Sequence, residues 1–239
     1  MKDTKDIVRK GYAAIAKTGG CCCKSKKIAQ QIGYSQGDTD ELSDANLGLG
    51  CGNPTAIGEI KEGDVVLDLV CGAGFDAFLA QRKVGSEGKV IGVDMTEEMI
   101  AKAKQNAGKL DVKNVEFVLG DIEDLPINDE TIDIIISNCV INLAPDKDEV
   151  FQEAYRVLKT GGALYLSDIV LLGELTPEQK QNPELLTGCV AGALPKDVYL
   201  DKLKKAGFSV EIKKENKEIS KQQYAGINLE SISVKAKKE

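Results

Sequence analysis

The chain has 239 residues, enough for one large domain or for a domain with a small appendage. Its 31 basic and 38 acidic residues give a net charge of −7, which argues against a nucleic-acid partner held by a broad basic surface. It contains no histidine, and this excludes histidine-based triads and dyads, histidine general bases and histidine metal ligands.

The N-terminal 59 residues form the first of three predicted segments. Residues 3–17 and 25–32 have the spacing of apolar residues that is typical of helices. Residues 33–54 are rich in glycine, serine, aspartate and asparagine, and we interpret them as a loop-rich flap. No stretch approaches 18 uncharged apolar residues, and the chain starts without the apolar run of a secretory signal. We therefore expect no membrane association and a cytoplasmic location.

From residue 60 onward, predicted strands alternate with predicted helices. The strands are expected at 64–69, 89–94, 114–119, 131–137 and 163–170, and the helices at 75–84, 96–108 and 146–158. This alternation predicts parallel βαβ units, and hence a Rossmann-like α/β fold with a doubly wound, mostly parallel sheet over residues 60–172. Residues 173–239 are predicted to add a small C-terminal α+β extension, with a helix at 196–206 and closing strands at 208–214 and 228–236.

A glycine-rich loop joins the first predicted strand to the helix that follows. Gly72 and Gly74 allow a sharp turn and close approach to a ligand, although their spacing also fits a dinucleotide site. Asp68 precedes the loop, where it would repel a pyrophosphate but attract a cationic sulfonium ligand with a free amino group. Asp94 ends the second strand, where an acid can bind ribose hydroxyls, and Asp121 follows the third, within reach of an adenine amino group. Asp68 therefore helps to decide between the two kinds of cofactor, against a dinucleotide.

The loop and its acids resemble class I S-adenosylmethionine-dependent methyltransferases over residues 60–170. The resemblance implies that Asp94 holds the ribose and that Asp68 meets the amino group of the cofactor. The other cofactor contacts that it implies are Cys71, Gly72, Ala73, Gly74, Met95, Asp121, Ile122 and Asn138, of which Cys71 is expected to be mainly structural and Asn138 could instead cap a turn. Val70 departs from the family, which has glycine there, so we expect an altered loop or a reduced affinity.

Three cysteines from distant segments are predicted to converge beside this loop. Cys139 follows the fourth strand, at the carboxyl edge of the sheet, and Cys51 and Cys189 lie in glycine-flanked segments that can fold over the same edge. Taken singly, each is more often a small buried apolar residue. Together, three thiolates without histidine suit a trigonal thiophilic centre such as As(III) better than zinc, which prefers four ligands. An arsenic lone pair directed at a sulfonium methyl needs no general base.

On Gly50-Cys51-Gly52 and on residues 137–143 and 188–194, the chain resembles the arsenite S-adenosylmethionine methyltransferases. The resemblance implies that Cys139 and Cys189 are the principal As(III) ligands and that Cys51 is the third. It also implies that an N-terminal cysteine pairs with Cys51 during turnover, without choosing among Cys21, Cys22 and Cys23.

Small thiols are expected to have two roles in this reaction. The As(III) substrate is expected as a thiol complex, and a reductant such as glutathione or thioredoxin is expected as co-substrate. Two other functions stay open at this point: a methyltransferase for an organic small molecule, with structural cysteines, and a thiol-based metalloid-binding protein without turnover.

Overall fold

The computed structural model describes residues 4–18, 22–219 and 226–239. Its strands are β1 (Val65–Leu69), β2 (Lys89–Asp94), β3 (Val115–Leu119), β4 (Ile132–Asn138), β5 (Leu158–Leu171), β6 (Phe208–Asn216) and β7 (Leu229–Lys238). Its helices are α1 (Thr4–Thr18), α2 (Cys22–Gln31), α3 (Gln36–Glu41), α4 (Pro54–Ile57), α5 (Phe75–Val84), α6 (Glu97–Leu110), α7 (Lys147–Val157), α8 (Pro177–Gln181), α9 (Pro183–Thr187) and α10 (Lys196–Lys205), with a 3₁₀ helix at Ile141–Leu143.

The described strands form one seven-stranded sheet in the order β3-β2-β1-β4-β5-β7-β6. The first five strands are parallel, and β7 runs antiparallel to both β5 and β6. The predicted α/β fold with a mostly parallel sheet is therefore confirmed. The order of strands reverses at β1, whose neighbours are β2 and β4, and the carboxyl ends at such a switch point form the usual ligand crevice.

Each strand of the centre is buried on both faces, because successive side chains point to opposite sides. Leu67 and Ile135 pack into one apolar cluster, and Val66 and Ile134 pack into the other. Cys51, Cys139 and Cys189 belong to the first of these clusters, whereas Cys71 belongs to the second. The sheet thus separates the three predicted arsenic ligands from the cysteine of the glycine-rich loop.

Two departures of the described structure from the predicted elements lie at residues 33–54 and at the start of β5. The proposed loop at 33–54 contains helix α3, because Ser35 and Asp38 form a reciprocal capping box at its start. Strand β5 begins at Leu158, several residues before the predicted start, and its pairing with β4 shifts register between Ile132 and Ile134. In the described part of the chain, no helix is both long and apolar enough to cross a membrane.

Candidate active site

The glycine-rich loop turns sharply at the carboxyl end of β1. Val70, Gly72 and Gly74 have positive φ angles of 55°, 54° and 95°, and α5 begins directly afterwards. Beside the loop lies a cavity of about 90 Å³, hereafter the glycine-loop cavity. Its lining includes these predicted cofactor contacts: Asp68, Cys71, Gly72, Ala73 and Asn138. Gly74 serves the turn itself, since its N–H donates to the carbonyl oxygen of Cys71 at 2.9 Å.

Asp68 is a buried carboxyl group with an unpartnered oxygen. Its residue is 3% exposed, and among the described residues nothing hydrogen-bonds to Oδ2. Burial raises the pKa of Asp68 well above its usual range, and the charges of Asp76 and Asp94 raise it further. Leaving such a buried acceptor unsatisfied costs about 1–3 kcal/mol. The site therefore fits the amino group of a cationic cofactor, which would bring both a donor and a positive charge.

Asp94 is held firmly against the glycine-rich loop. Its Oδ2 accepts a hydrogen bond from the N–H of Gly72 at 3.0 Å, and its Oδ1 accepts one from the N–H of Thr96 at 2.9 Å. Burial raises the pKa of Asp94. Each carboxyl oxygen keeps a second acceptor position, so the geometry is compatible with the predicted contact to ribose hydroxyls, which stays a prediction.

Asp121 lines a small cavity of about 20 Å³ on the side that was predicted to hold adenine. Met95 and Ile122, the predicted apolar walls, line the same space. Lys5 of α1 also reaches it and donates to Oδ2 of Asp121 at 2.5 Å, while forming an ion pair with Glu123. In this structure Lys5 therefore donates a hydrogen bond to the same carboxylate that was predicted to accept one from the adenine amino group.

Helix α1 covers both the cofactor side and the cysteine side of the site. It packs against α6 and α9, and Gly11 lies so close to Thr187 that a Cβ would stand 2.7 Å from its methyl group. Tyr12 lines the glycine-loop cavity and donates to the carbonyl oxygen of Thr187 at 3.4 Å. Thr187 ends α9, two residues before Cys189. The helix therefore links Asp121 to the segment that carries Cys189.

Asn138 joins the Cys51 segment to the glycine-rich loop. Its Oδ1 accepts from the N–H of Cys51 at 3.1 Å, and its Nδ2 donates to Gly52 O at 3.0 Å. The same Nδ2 lies 2.8 Å from Tyr34 Oη and 3.0 Å from Asp76 Oδ2, and Tyr34 donates to Asp76 at 2.6 Å. Sequence reasoning named Asn138 but missed Tyr34 and Asp76, which no motif marked.

The glycines that flank Cys51 are required by close packing. A Cβ on Gly50 would stand 2.7 Å from Nδ2 of Asn138, and one on Gly52 would stand 2.5 Å from Cβ of Ser167. Only glycine lets the Cys51 backbone approach the ends of β4 and β5 this closely. The Gly-Cys-Gly sequence is therefore a packing requirement of this position.

The three predicted ligand cysteines meet at the ends of β4 and β5. The thiols of Cys51 and Cys139 lie within 4.8 Å of each other and of a carboxyl oxygen of Asp168, and all three residues are buried. The Sγ of Cys189 lies 2.5 Å from the carbonyl oxygen of Cys139. Residues separated by 88 and 50 positions along the chain are thus brought to one place.

The backbone at two of these cysteines is strained. Cys139 has a φ angle of 60° and Cys189 one of 64°, both in the left-handed region that favours glycine. Such conformations cost about 1–3 kcal/mol at residues that carry a side chain, and they cluster at functional sites. The strain at Cys139 and Cys189 agrees with the predicted functional role of these cysteines, which stays a prediction.

The thiols in this cluster are protonated at neutral pH. Burial raises the pKa of Cys51, and the hydrogen bond with Cys139 and burial raise the pKa of Cys189 well above its usual range. The pKa of Cys139 also rises well above its usual range: a hydrogen bond with Cys189 lowers it, but the Cys51 thiol and burial outweigh that effect. Each thiol must therefore give up a proton when it binds a thiophilic ion.

Asp168 is a member of the cluster that sequence reasoning missed. Asn142 donates to its Oδ1 at 2.9 Å, and Tyr199 donates to its Oδ2 at 3.1 Å. Burial raises its pKa to about 6, against these hydrogen bonds and the charge of Lys147. The available signal was an acid within the apolar run of β5, because an aspartate is rarely fully buried unless it is paired.

The proposed partner of Cys51 remains a prediction. Cys21 lies outside the described residues, and Cys22 and Cys23 are described only as the backbone that begins α2. Cys51, Cys71, Cys139 and Cys189 are free thiols.

Val70 lies between the two cavities and lines both of them. Its left-handed backbone explains why glycine is expected at this position, since a β-branched residue is strained there. We predict that Val70→Gly and Val70→Ala both lower the dissociation constant for S-adenosylmethionine, because each removes methyl groups that separate the cavities. Only glycine relieves the backbone, so its free energy of unfolding should exceed that of the alanine variant by about 1 kcal/mol. Calorimetric titration and urea unfolding measure the two effects, and an equally stable alanine variant would contradict the strain.

The chain is similar to known methyltransferases. A model of the methyltransferase domain family matches residues 60–230. The chain is 46% identical to an arsenite methyltransferase of Halobacterium salinarum, over 88% of this chain and 59% of the relative. It is 38% identical to the human arsenite methyltransferase, over 76% of this chain and 50% of that protein. It therefore spans about half to three-fifths of the length of these relatives.

The fold of the chain is also similar to a solved structure of an arsenic methyltransferase. The arsenic(III) S-adenosylmethionine methyltransferase of Chlamydomonas reinhardtii matches with a TM-score of 0.70 and 33% identity, over 88% of this chain and 73% of that one. The family model covers most of the chain, and this relative is similar over most of both chains. The chain therefore belongs to the methyltransferase domain family and, within it, to the arsenite S-adenosylmethionine methyltransferases.

Proposed function

We propose that this protein transfers a methyl group from S-adenosylmethionine to trivalent arsenic held by Cys51, Cys139 and Cys189, and that it serves arsenic detoxification. The observation that carries the proposal is the meeting of these three cysteines at the carboxyl edge of the sheet, next to the glycine-loop cavity. The relatives that carry the name arsenite methyltransferase support the choice of substrate.

The cofactor would bind along the glycine-rich loop. Asp68 would accept hydrogen bonds from its amino group, Asp94 would hold the ribose hydroxyls, and Met95 and Ile122 would enclose the adenine. S-adenosylmethionine, when bound, supplies an electrophilic methyl group on its sulfonium. Cavities of about 90 and 20 Å³ are smaller than the ~300–1,000 Å³ of typical ligand sites. We therefore propose that α1 and residues 45–50, which contribute to the lining of the glycine-loop cavity, move outward when the cofactor enters.

The cysteines would bind arsenic by exchange. As each As–S bond forms, an arsenic–hydroxide or arsenic–thiol bond breaks, and the proton of the cysteine thiol leaves with the departing group. Three sulfur ligands leave a lone pair on the opposite side of the arsenic, which can attack a methyl group directed at it. Holding the two reactants in such an arrangement can lower a barrier by about 7–11 kcal/mol, and no histidine is needed.

Thiols complete the proposed cycle. Methyl transfer raises the oxidation state of arsenic by two, and a dithiol that becomes a disulfide can return two electrons. We propose that one of Cys21, Cys22 and Cys23 forms that disulfide with Cys51, and that glutathione or thioredoxin reduces it. The cytoplasm suits this cycle, because a reducing compartment keeps the arsenic-binding thiols free.

An assay with methyl-labelled cofactor tests the proposal. The wild-type chain is incubated with arsenite and glutathione, and the arsenic species are separated by chromatography. We expect label in methylated arsenic, and none when arsenite is omitted. Arsenite binding without label transfer would favour sequestration, and label transfer to an organic acceptor alone would contradict the arsenic substrate.

A further inference from the structure

A second cleft, of about 110 Å³, lies on the other side of the Cys51 segment from the glycine-loop cavity. Gly50 lines the glycine-loop cavity, whereas Cys51 lines this second cleft. The opposite wall is the β6–β7 pair, which contributes Lys214, Asn216 and Ser231 among others. The segment around Cys51 thus separates the glycine-loop cavity from the second cleft.

The wall of this cleft is polar because of the register of β6 and β7. Lys214 pairs with Ser233 and Asn216 pairs with Ser231, so these four side chains share one face. The register shifts between Ile212 and Lys214, which makes Lys213 the extra residue of a bulge. Bulges next to functional sites commonly redirect a side chain. Here the bulge places Lys214 opposite Ser233, in the cleft, while Lys213 forms an ion pair with Glu211 at 2.7 Å.

Two serines connect this wall to the cysteine site. The hydroxyl of Ser231 donates to the carbonyl oxygen of Cys51 at 2.8 Å. The hydroxyls of Ser233 and Ser167 lie 3.0 Å apart, and the thiol of Cys51 donates to the carbonyl oxygen of Ser167 at 3.5 Å. The Cys51 residue that lines the cleft therefore carries a thiol within 4.8 Å of the Cys139 thiol.

The charge of the cleft indicates what enters it. Lys214 is exposed, and among the described residues no carboxylate forms an ion pair with it. The cleft thus combines a cation, an amide and hydroxyls with Cys51 in its wall. This combination fits a small molecule that carries both a carboxylate and a sulfur-bound reactive centre, because the carboxylate would bind the lysine while the sulfur end meets Cys51.

We propose that this cleft is the entry port for arsenic, and that it selects As(III) carried by carboxylate-bearing thiols. The inference rests on the proposed function, since it assigns the route by which that substrate arrives. Cys51 exchanges first: its sulfur bonds to arsenic, one bond from arsenic to a carrier sulfur breaks, and the thiol proton of Cys51 leaves with the carrier. The arsenic then passes to Cys139 and Cys189 by the same exchange, without a change in oxidation state.

Alkylation of Cys51 tests the port without requiring catalysis. Iodoacetate and iodoacetamide differ chiefly in charge, so the ratio of their rates at Cys51, followed by peptide mass spectrometry, reports the attraction of anions. We expect Lys214→Glu to lower the iodoacetate-to-iodoacetamide ratio by about fivefold or more, because reversing a charge at the mouth of a cleft reverses its steering effect. The matched control is Lys213→Glu, the same charge change on the neighbouring bulge residue, and it should leave the ratio within about twofold.

A single-turnover assay tests the carrier. The first methyl transfer needs no reductant, so it separates a thiol that carries arsenic from one that reduces a disulfide. We expect Lys214→Glu to raise the arsenic concentration for half-maximal rate about fivefold with glutathione complexes, and to leave it unchanged with complexes of neutral mercaptoethanol.

Each result bears on the proposal. An unchanged alkylation ratio in Lys214→Glu, an equal change in Lys213→Glu, or wild-type Cys51 that neither reagent labels would overturn the port. Charge-selective alkylation together with no methylation in any thiol would leave the port standing and refute the proposed function instead.

Discussion

Replacing Cys139 by serine is expected to lower kcat/KM for arsenite methylation by about 100-fold or more. The hydroxyl is a harder and less acidic ligand than the thiol, and misplacing a bound reactant by about 1 Å can alone cost ~100-fold. The thiol of Cys139 lies within 4.8 Å of the Cys51 thiol, and the Sγ of Cys189 lies 2.5 Å from the carbonyl oxygen of Cys139. Under the proposed function, the serine variant loses one of the two principal arsenic ligands. Initial rates with labelled cofactor measure the effect.

Two controls separate ligand loss from general damage. Cofactor binding to Cys139→Ser, measured by calorimetry, should stay within about twofold of wild type, because Asn138 and the glycine-rich loop are unchanged. Arsenite binding by Cys71→Ser should match wild type, since Cys71 packs in the other apolar cluster. Full methylation by Cys139→Ser would rule out its role as an arsenic ligand.

Asp68→Asn is expected to weaken cofactor binding and to stabilise the cofactor-free protein. The substitution removes the charge that would face the cofactor amino group, and a hydrogen bond between charged groups contributes about 1.5–3 kcal/mol, or at least tenfold in affinity. Without cofactor, the same charge lies buried near Asp76 and Asp94, so a neutral amide should raise the midpoint of thermal unfolding. Titration calorimetry and thermal melts measure the two effects.

The stabilisation by Asp68→Asn should grow with pH. The pKa of Asp68 is raised well above that of the unfolded chain, by burial and then by Asp76 and Asp94. A group of this kind favours folding below its unfolded pKa of about 3.9, and this contribution is lost as pH rises through the folded pKa. Wild type loses it and the asparagine variant does not, so the difference in melting midpoint widens from pH 4 upward.

The matched control for this prediction is Asp201→Asn, on the exposed face of α10. It removes the same carboxylate from a solvated position, and its melting difference from wild type should stay small at every pH. A pH-independent difference for Asp68→Asn would contradict the assignment of Asp68 as a buried, charge-crowded group.

Much of the parallel sheet could be predicted because its signals are local. The strand at 89–94 and the helix at 75–84 coincide with β2 and α5, since apolar runs and glycine breaks lie next to each other in the chain. The sequence places the start of β5 at residue 163, because Gly161 and Gly162 favour a break in regular structure. In the structure Gly161 has a φ angle of 85° and lies within the strand, near the irregular pairing with β4. Composition alone does not separate a turn from such an irregularity.

The candidate site could be predicted only at positions where a reactive or charged residue type stands at the end of a predicted strand. Cys139 and Asp68 stand at strand ends that parallel topology brings to one edge, so their neighbourhood followed from the fold. Asp168, Tyr34 and Lys5 could not be found this way. Tyr34 contacts Asp76, 42 positions away, and Lys5 contacts Asp121, 116 positions away. Asp168 meets Cys51 and Cys139 only in the folded chain. Partners of this kind are set by three-dimensional packing and not by a local sequence pattern.

Helix α1 has a consequence for the order of events. Its 15 residues make a rod of about 22 Å, with Lys5 at Asp121 near one end and Tyr12 at Thr187 further along. An adenine that displaces Lys5 would therefore pull on the support of the Cys189 segment. Under the proposed function, loading of the methyl donor would in this way loosen Cys189, one of the two principal arsenic ligands, so that the donor binds before the arsenic.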